Sequence, residues 1–328
     1  MNKDFVKLIL RRIATSFIVL FLMTTFIFIL LRISPGDPAQ KFISPELSAE
    51  LADKVRESFN LNSSIIDQYK SFLINLLKGD LGISYNYRQP VLKVIMQYLP
   101  FTLIFSFISF FIQMGIGGSL ALLAIRKINK PMDRVISRMN LLFYALPSFV
   151  VGVFLILIFS ELFNILPSSG IRSFDFDSFS LFGKVKDYVL HMIMPVITLS
   201  LGGIAVFFRY LRDGLEEIKN KPFVINLRAN GFDEKTITLK HIIPNAMGPL
   251  IAVAGVELGM LLGGALITEV IFSLPGMGRL AVSAILQRDY PLIIGCTLTA
   301  GVLVIISNLT ADIVKAKIDK RSLKDILN

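Results

Sequence analysis

The sequence predicts an all-α, polytopic membrane protein with six transmembrane helices, both termini in the cytoplasm, and a small extracytoplasmic helical segment between the first two helices. Three observations support this fold class. The 328-residue chain is 54% hydrophobic and 18% charged, whereas soluble domains are usually under half apolar and about a quarter charged. Six segments are long and apolar enough to cross a bilayer, and the basic residues are concentrated in alternate loops.

The six apolar segments meet the requirement of roughly 20 residues for a helix that crosses a hydrocarbon core about 30 Å thick. They are residues 13–31, 101–125, 139–166, 189–208, 246–273 and 291–314. The fifth contains Glu257 and Glu269, and the sixth contains Asp312 near its inner end. Ionisable groups at membrane depth usually face a cavity, a partner or the bundle interior. Because no second acid, histidine or nucleophile accompanies these acids, we interpret them as packing or pathway residues rather than catalysts.

The distribution of basic residues predicts the orientation, because cytoplasmic loops are enriched in Lys and Arg. Of the 34 basic residues, 21 lie at the N-terminus, in loops 126–138 and 209–240, and in the tail from Lys315. Eight of the other 13 lie between residues 32 and 93, a segment long enough to translocate largely regardless of charge. The net charge of +10 is therefore mainly a topology signal. It indicates membrane lipid as a partner and no nucleic acid.

The chain divides into four predicted regions. Residues 1–33 form the cytoplasmic N-terminus and first helix, 34–100 an extracytoplasmic helical segment, 101–314 the core with a cytoplasmic loop at about 209–245, and 315–328 a cytoplasmic tail. The outer segment contains two amphipathic stretches, one with Leu47 to Phe59 at helical spacing and one that ends at Gly79. We interpret it as a docking surface rather than a linker.

The fifth apolar segment carries a glycine on every fourth residue. Gly255, Gly259 and Gly263 place bare backbone on one helical face, where another helix can approach closely. Two alternatives remain open from the sequence. The face makes either an intersubunit or moving contact, or a tight contact within the bundle.

The cytoplasmic loop before the fifth segment has the start and stop signals of two short helices. Residues 223–230 are predicted to form the first helix, with Gly231 in the left-handed position that ends it and Phe232 as the accompanying apolar residue. Asp233 is the predicted N-cap of the second helix, and Pro244 is predicted to break or bend the chain before the fifth segment. A rigid hairpin of this kind at the membrane surface has the shape of a coupling device.

The same loop carries a family resemblance. LRANG at 227–231, followed by HIIPNA at 241–246, resembles the EAA loop of binding-protein-dependent ABC importer permeases. The sequence 262–293 (LGGALITEVIFSLPGMGRLAVSAILQRDYPLI) is similar to dipeptide, oligopeptide and nickel importer permeases, as are PGDP at 35–38, GDLGIS at 79–84, ALPSF at 145–149 and LPSSG at 166–170. The long segment after the first helix resembles the B-type subunit of these systems.

The resemblance implies half of a translocation pore that imports peptides by alternating access in a bacterial or archaeal cytoplasmic membrane, with nickel or a metal chelate as the alternative cargo. It implies a C-type permease subunit, two cytoplasmic ABC ATPase domains and an extracytoplasmic solute-binding protein as partners. The sequence has no GxxxxGK[ST] phosphate-binding loop, so ATP would be bound by the partner subunits. No cofactor or metal is expected in this chain. A stand-alone secondary transporter or channel is the first rival, and a membrane enzyme, for which His191 and His241 are the only histidines, is the second.

Three groups of candidate site residues follow. The candidates for ATPase coupling are Arg228, Ala229, Gly231, Phe232, Asp233, His241, Pro244 and Asn245. The candidates for helix packing or the pore are Gly255, Glu257, Gly259, Gly263 and Glu269. The candidates for an extracytoplasmic gate or docking contact are Pro275, Gly276, Gly278 and Asp289. The single cysteine, Cys296, excludes an intramolecular disulfide framework and is expected to be a small buried residue.

Overall fold

The computed structural model describes residues 3–33, 64–125 and 130–318. We number its helices in chain order. They are α1 Lys3–Ile33, α2 Ile65–Leu77, α3 Val91–Ile125, α4 Pro131–Ala145, α5 Ser148–Leu155 with a π-helical extension Ile156–Leu162, α6 Leu181–Lys219, α7 Pro222–Ala229, α8 Glu234–Thr236 with a π-helical extension Ile237–Ile242, α9 Ile243–Leu262, α10 Leu266–Ile271, α11 Met277–Leu286 and α12 Tyr290–Ile318. The first predicted amphipathic stretch of the outer segment lies outside the described residues, and the second is α2, which Gly79 follows with a φ of +77°.

The described chain confirms an all-helical membrane protein. Five helical stretches are long and apolar enough to span a bilayer, and the number becomes six if α4 and α5 are counted as one bent span. The helices are longer than the apolar segments suggested. α3 begins ten residues before the predicted start at 101, and α6 extends beyond 189–208 at both ends. The apolar runs therefore underestimate the lengths of these two helices.

The third predicted segment is bent, so its assignment as one membrane span stays a prediction. α4 and α5 meet at an angle of 95°. Pro147 disfavours helical geometry at the residue before it, and Leu146 accordingly adopts an extended conformation with φ −79° and ψ 124°. The chain therefore ends one helix at Ala145 and begins another at Ser148.

The fifth predicted segment also differs from a single helix over 246–273. Its helix ends at Leu262 and restarts at Leu266, and Gly264 between them has a φ of +125° that favours glycine. At the N-terminal end of this segment, Pro244 is predicted to break or bend the chain, but the helix does not break there. The π-helical extension of α8 continues directly into α9, and Pro244 lies two residues after this extension ends, where the altered helical turn accommodates the proline. The helix is consequently continuous from Glu234 to Leu262.

The centre of the molecule is the long contact between α3 and α6. Gly117 of α3 lies so close to the backbone of α6 that an added Cβ would overlap the Ile204 carbonyl, and Gly203 of α6 likewise accommodates Gln113. The core below this contact includes Phe207 and Leu215, both almost fully buried. These close approaches fix the two helices side by side and give the hairpin between α6 and α9 a rigid base.

Two ion pairs attach peripheral helices to this centre. Arg212 of α6 binds Asp133 of α4 in a bidentate arrangement, with Nε–Oδ1 and Nη2–Oδ2 distances of 2.8 Å, and the Asp133 carboxylate is buried. Arg12 of α1 lies 2.9 Å from Asp312 of α12. The bidentate geometry of the Arg212–Asp133 pair is the stronger kind of charge-assisted contact. Asp312, through its ion pair with Arg12, joins α12 to α1 and therefore serves helix packing.

Candidate functional site

The coupling hairpin, which we define as residues 222–242, is built from a glycine-terminated helix and a capped helix. Gly231 has a φ of +81°; its N–H donates to the Arg228 carbonyl, and the Phe232 N–H donates to the Leu227 carbonyl. These two bonds form the Schellman motif, which satisfies carbonyls that a helix end leaves free. The turn is therefore specified by the glycine.

The second helix of the hairpin begins at the predicted cap. The Asp233 carboxylate accepts a hydrogen bond of 2.9 Å from the Thr236 N–H. Hydrogen bonds from the Thr236 hydroxyl and N–H lower the pKa of Asp233 below its ordinary value. Across the turn, Arg228 Nε lies 2.5 Å from the Glu234 carboxylate. The caps and this ion pair hold the two short helices in one arrangement.

The hairpin is anchored on one side and exposed on the other. Val224 and Ile237 are fully buried in the core beneath it. Ile225, Phe232 and Leu239 are about half exposed. Exposed apolar side chains that neighbour one another often mark a protein interface. Among the other coupling candidates, Ala229, Pro244 and Asn245 are exposed and His241 is half-buried.

The glycine face of α9 contacts α12 of the same chain. An added Cβ at Gly255 would overlap the side chain of Ala311, and Gly259 lies within van der Waals distance of Val304. Gly263 also lies near Val304, at the end of α9. Of the two alternatives left open by the sequence, the structure shows the contact within the bundle. The glycine face therefore packs α9 closely against α12.

Glu269 is a buried carboxylate on α10, beyond the break that follows α9. It is 0% exposed, and its two oxygens accept hydrogen bonds from the Thr102 hydroxyl of α3 at 2.9 Å and the Arg279 N–H of α11 at 3.0 Å. Thr102 also accepts a bond of 2.8 Å from the Met277 N–H. The carboxylate occupies the space that a side chain at Gly276 would take, and a Cβ at Gly278 would overlap the backbone of Leu266. Glu269 thereby joins α3, α10 and α11.

Asp289 forms a second buried carboxylate site at the start of α12. Its oxygens accept hydrogen bonds from the Ser84 hydroxyl at 2.5 Å, the Asn86 N–H at 3.0 Å and the Leu292 N–H at 3.3 Å. It therefore ties the outer loop before α3 to α12. Gly276, Gly278 and Asp289 are all buried, whereas Pro275 is partly exposed. The three buried candidates are therefore not exposed on the surface of the described chain.

Glu257 differs from the two buried acids. It is half-buried on α9, and no hydrogen bond or ion pair joins its carboxylate to another described residue. His191 is buried, with its Nδ1 atom 2.8 Å from the Asp187 carbonyl, as expected of a packing residue. Cys296 is buried, which confirms the sequence expectation. Within residues 3–33, 64–125 and 130–318, no group of three or more His, Cys, Asp or Glu side chains is placed to hold a metal ion.

Sequence reasoning missed three polar residues that build this arrangement. They are Thr102, Ser84 and Asp133, each a partner of a residue far along the chain. Thr102 and Asp133 carry the available signal, because a hydroxyl within a strongly apolar helix and an acid at a helix start are both polar groups that need a partner. Their partners cannot be identified from spacing.

Comparison with protein families identifies the chain. The model described as "Binding-protein-dependent transport system inner membrane component" matches residues 113–324. A second model, for the N-terminal part of the membrane component of binding-protein-dependent transport systems, matches residues 5–106. The chain belongs to this family. It is a permease subunit of an ABC importer of the peptide and nickel family and a multi-pass protein of the inner membrane.

Individual relatives agree with this assignment. The permease is similar to the "Nickel import system permease protein NikB" of Staphylococcus aureus strains MRSA252 and USA300; each is 32% identical over 319 residues, which cover 96% of this chain and 92% of the relative. Two inward-facing crystal forms of the MetNI methionine ABC transporter have TM-scores of 0.54 and 0.51 and identities of 18% and 17%. They cover 69% and 72% of the permease and 96% and 97% of the matched chains. These structures support the fold alone.

Proposed function

We propose that the permease forms one half of an alternating-access pore and that the coupling hairpin docks in a groove of a cytoplasmic ABC ATPase. The observation that carries this proposal is the hairpin itself. Its turn is fixed by Gly231 and Asp233, its base is buried at Val224 and Ile237, and it exposes apolar side chains. A surface held this rigidly suits the transmission of a partner's movement. The candidate contacts with the ATPase are the eight coupling residues named from the sequence.

The continuous helix from the hairpin provides the route for that movement. α8 and α9 run without a break from the cytoplasmic surface to Leu262, and Gly255 and Gly259 seat α9 against α12. Beyond the break, Glu269 joins α10 to α3 and α11. A displacement of the hairpin would therefore shift the inner and outer ends of the pore together. Glu257, half-buried on α9, is the candidate pore carboxylate.

The complete importer would contain this permease, a C-type permease, two ATPase domains and an extracytoplasmic solute-binding protein. The binding protein would deliver cargo to the outer helical segment, residues 34–100. ATP-driven closure would open the pore outward, and hydrolysis would return it to the inward-facing state. The buried Gly276, Gly278 and Asp289 belong to the outer gate, and Pro275 lies at its partly exposed edge.

The proposed cargo is nickel, as the ion or a chelate. Support comes from the relatives of matching length, which are named as nickel import permeases. Peptides remain the second candidate, because the motifs at 262–293 resemble those of peptide and nickel permeases alike. Uptake of radioactive nickel and of a labelled dipeptide by the same reconstituted importer distinguishes the two. The cargo whose uptake rate saturates with increasing concentration is assigned as the physiological cargo class.

Reconstitution tests the need for partners. We expect the purified permease alone to accumulate neither nickel chelate nor peptide in liposomes, because the sequence has no phosphate-binding loop to use ATP. Addition of the C-type permease, the ATPases, the binding protein and ATP should restore accumulation. Accumulation by the permease alone would replace our proposal with a secondary transporter.

Cysteine labelling tests the proposed orientation, in which both termini and the coupling hairpin are cytoplasmic. In a Cys296→Ala background, we expect a membrane-impermeant thiol reagent applied to intact cells to modify Asp177→Cys and to leave Asp233→Cys unmodified. Both positions are well exposed, so accessibility within the protein does not decide the result. Permeabilised cells provide the control, since both cysteines should then react. The opposite labelling pattern in intact cells would show that the orientation is the reverse of the proposed one.

A further inference from the structure

A cavity of about 740 Å³ lies under the coupling hairpin, between the inner ends of α3 and α6. Leu122, Ile125 and Ile242 form an apolar part of its lining. Its charged lining residues are Lys219, Arg228, Glu234 and Lys235. The lining of the cavity therefore combines apolar and basic side chains.

The charges of the lining favour an anion. Three cations and one acid give a formal excess of two positive charges. Arg228 and Glu234 are paired with one another at 2.5 Å. Lys219 and Lys235 lie close enough to Glu234 and Asp233, respectively, to attract these acids electrostatically. Neither lysine forms a direct ion pair in the part of the chain that the structure describes, and Lys219 is half-buried. Two ammonium groups are consequently available to one ligand.

The depth of the cavity coincides with the cytoplasmic headgroup region. Ile242 precedes the predicted apolar segment at Ala246 by four residues, which is about 6 Å along a helix. Leu122 and Ile125 belong to the apolar end of α3. The headgroup region of a bilayer extends roughly 5–8 Å beyond the hydrocarbon core. The apolar lining thus lies beside acyl chains and the lysines lie beside phosphates.

We infer that this cavity binds the headgroup of an anionic glycerophospholipid from the inner leaflet. Lys219 and Lys235 contact the lipid phosphate, and the apolar lining contacts the first part of an acyl chain. Basic pockets between membrane helices on the cytoplasmic side recognise lipids by this combination of charge and apolar contact. The bound lipid bridges α3, α6 and the hairpin. It thereby steadies the base from which the hairpin acts, whatever the cargo is.

The test measures lipid binding by the full-length permease in phosphatidylcholine nanodiscs with and without phosphatidylglycerol, using native mass spectrometry to quantify retained lipid. We expect Lys219→Gln and Lys235→Gln each to weaken phosphatidylglycerol binding about fivefold, and the double variant to weaken it further. Lys240→Gln is the matched control. Lys240 is an exposed lysine of the same hairpin that does not line the cavity, so its loss should leave binding unchanged.

Three results would overturn the inference. The first is equal phosphatidylglycerol binding by the double variant and Lys240→Gln. The second is displacement of the lipid by inorganic phosphate at comparable concentration, which would indicate a free-anion site. The third is loss of ATPase association in the double variant with lipid binding intact, which would assign the cavity to the ATPase interface. Lipid binding is measured without transport. A failure of lipid binding therefore would not contradict the proposed pore, and a failed reconstitution would not contradict the lipid site.

Discussion

Glu269→Ala is expected to destabilise the permease by about 2–6 kcal/mol and to abolish cargo uptake by the complete importer. The substitution leaves two donors, the buried Thr102 hydroxyl and the part-buried Arg279 N–H, without their acceptor. Each buried group left unsatisfied costs about 1–3 kcal/mol. The outer end of the pore would also lose the junction between α3, α10 and α11.

Cys296 supplies the measurement, because it is the only cysteine of the chain and is buried. A thiol-reactive dye that becomes fluorescent on reaction reports the temperature at which this residue is exposed. Glu161→Ala is the control, since Glu161 is an exposed acid on the extension of α5. Glu269→Gln should fall between the wild type and Glu269→Ala, because one acceptor oxygen remains. Equal unfolding temperatures for Glu269→Ala and Glu161→Ala would contradict the stabilising role.

Gly231→Val is expected to reduce ATP-dependent uptake by about tenfold or more while membrane insertion is retained. Left-handed backbone costs an ordinary residue about 1–2 kcal/mol, and a β-branched residue is still less suited to it. The Schellman bonds around Gly231 would be lost, and the two short helices would no longer keep one relative orientation. Uptake and co-purification with the ATPase are the measurements.

Two variants isolate the backbone effect. Gly248→Val makes the same chemical change in α9, where an added Cβ meets no atom within 4 Å and φ is not positive, so uptake should be largely preserved. Gly231→Asn should recover part of the activity, because asparagine tolerates the left-handed region better than valine. Full uptake and ATPase association in Gly231→Val would remove the coupling role assigned to this turn.

Local chemistry explains which features the sequence could predict. The end of α7 and the start of α8 depend on Gly231 and Asp233, whose partners lie within a few residues. The bend at Pro147 could also have been predicted from the sequence, because the proline of ALPSF disfavours helical geometry at the residue before it. Apolar composition instead suggested one continuous span, since a hydrophobic run has no feature that distinguishes a straight helix from a bent one.

Contacts between distant segments could not be predicted in the same way. Glu269 and Thr102 are 167 residues apart, and Arg212 and Asp133 are 79 apart. Each pair depends on which helices become neighbours, and a single sequence contains no spacing rule for that choice. The continuation of α8 into α9 was missed for another reason. A π-helical turn accommodates Pro244 at a site where the residue alone suggests a break.

The bend between α4 and α5 has a consequence for the surrounding lipid. Ser148–Leu162 contains 15 residues, and a helix of that length rises only about 22 Å. Val153, Phe154 and Leu157 on this helix are about half exposed. A helix shorter than the acyl region creates a hydrophobic mismatch, which lipids relieve by thinning locally. Wherever no partner subunit covers α5, we expect the bilayer beside it to be thinner than the bilayer around the longer helices.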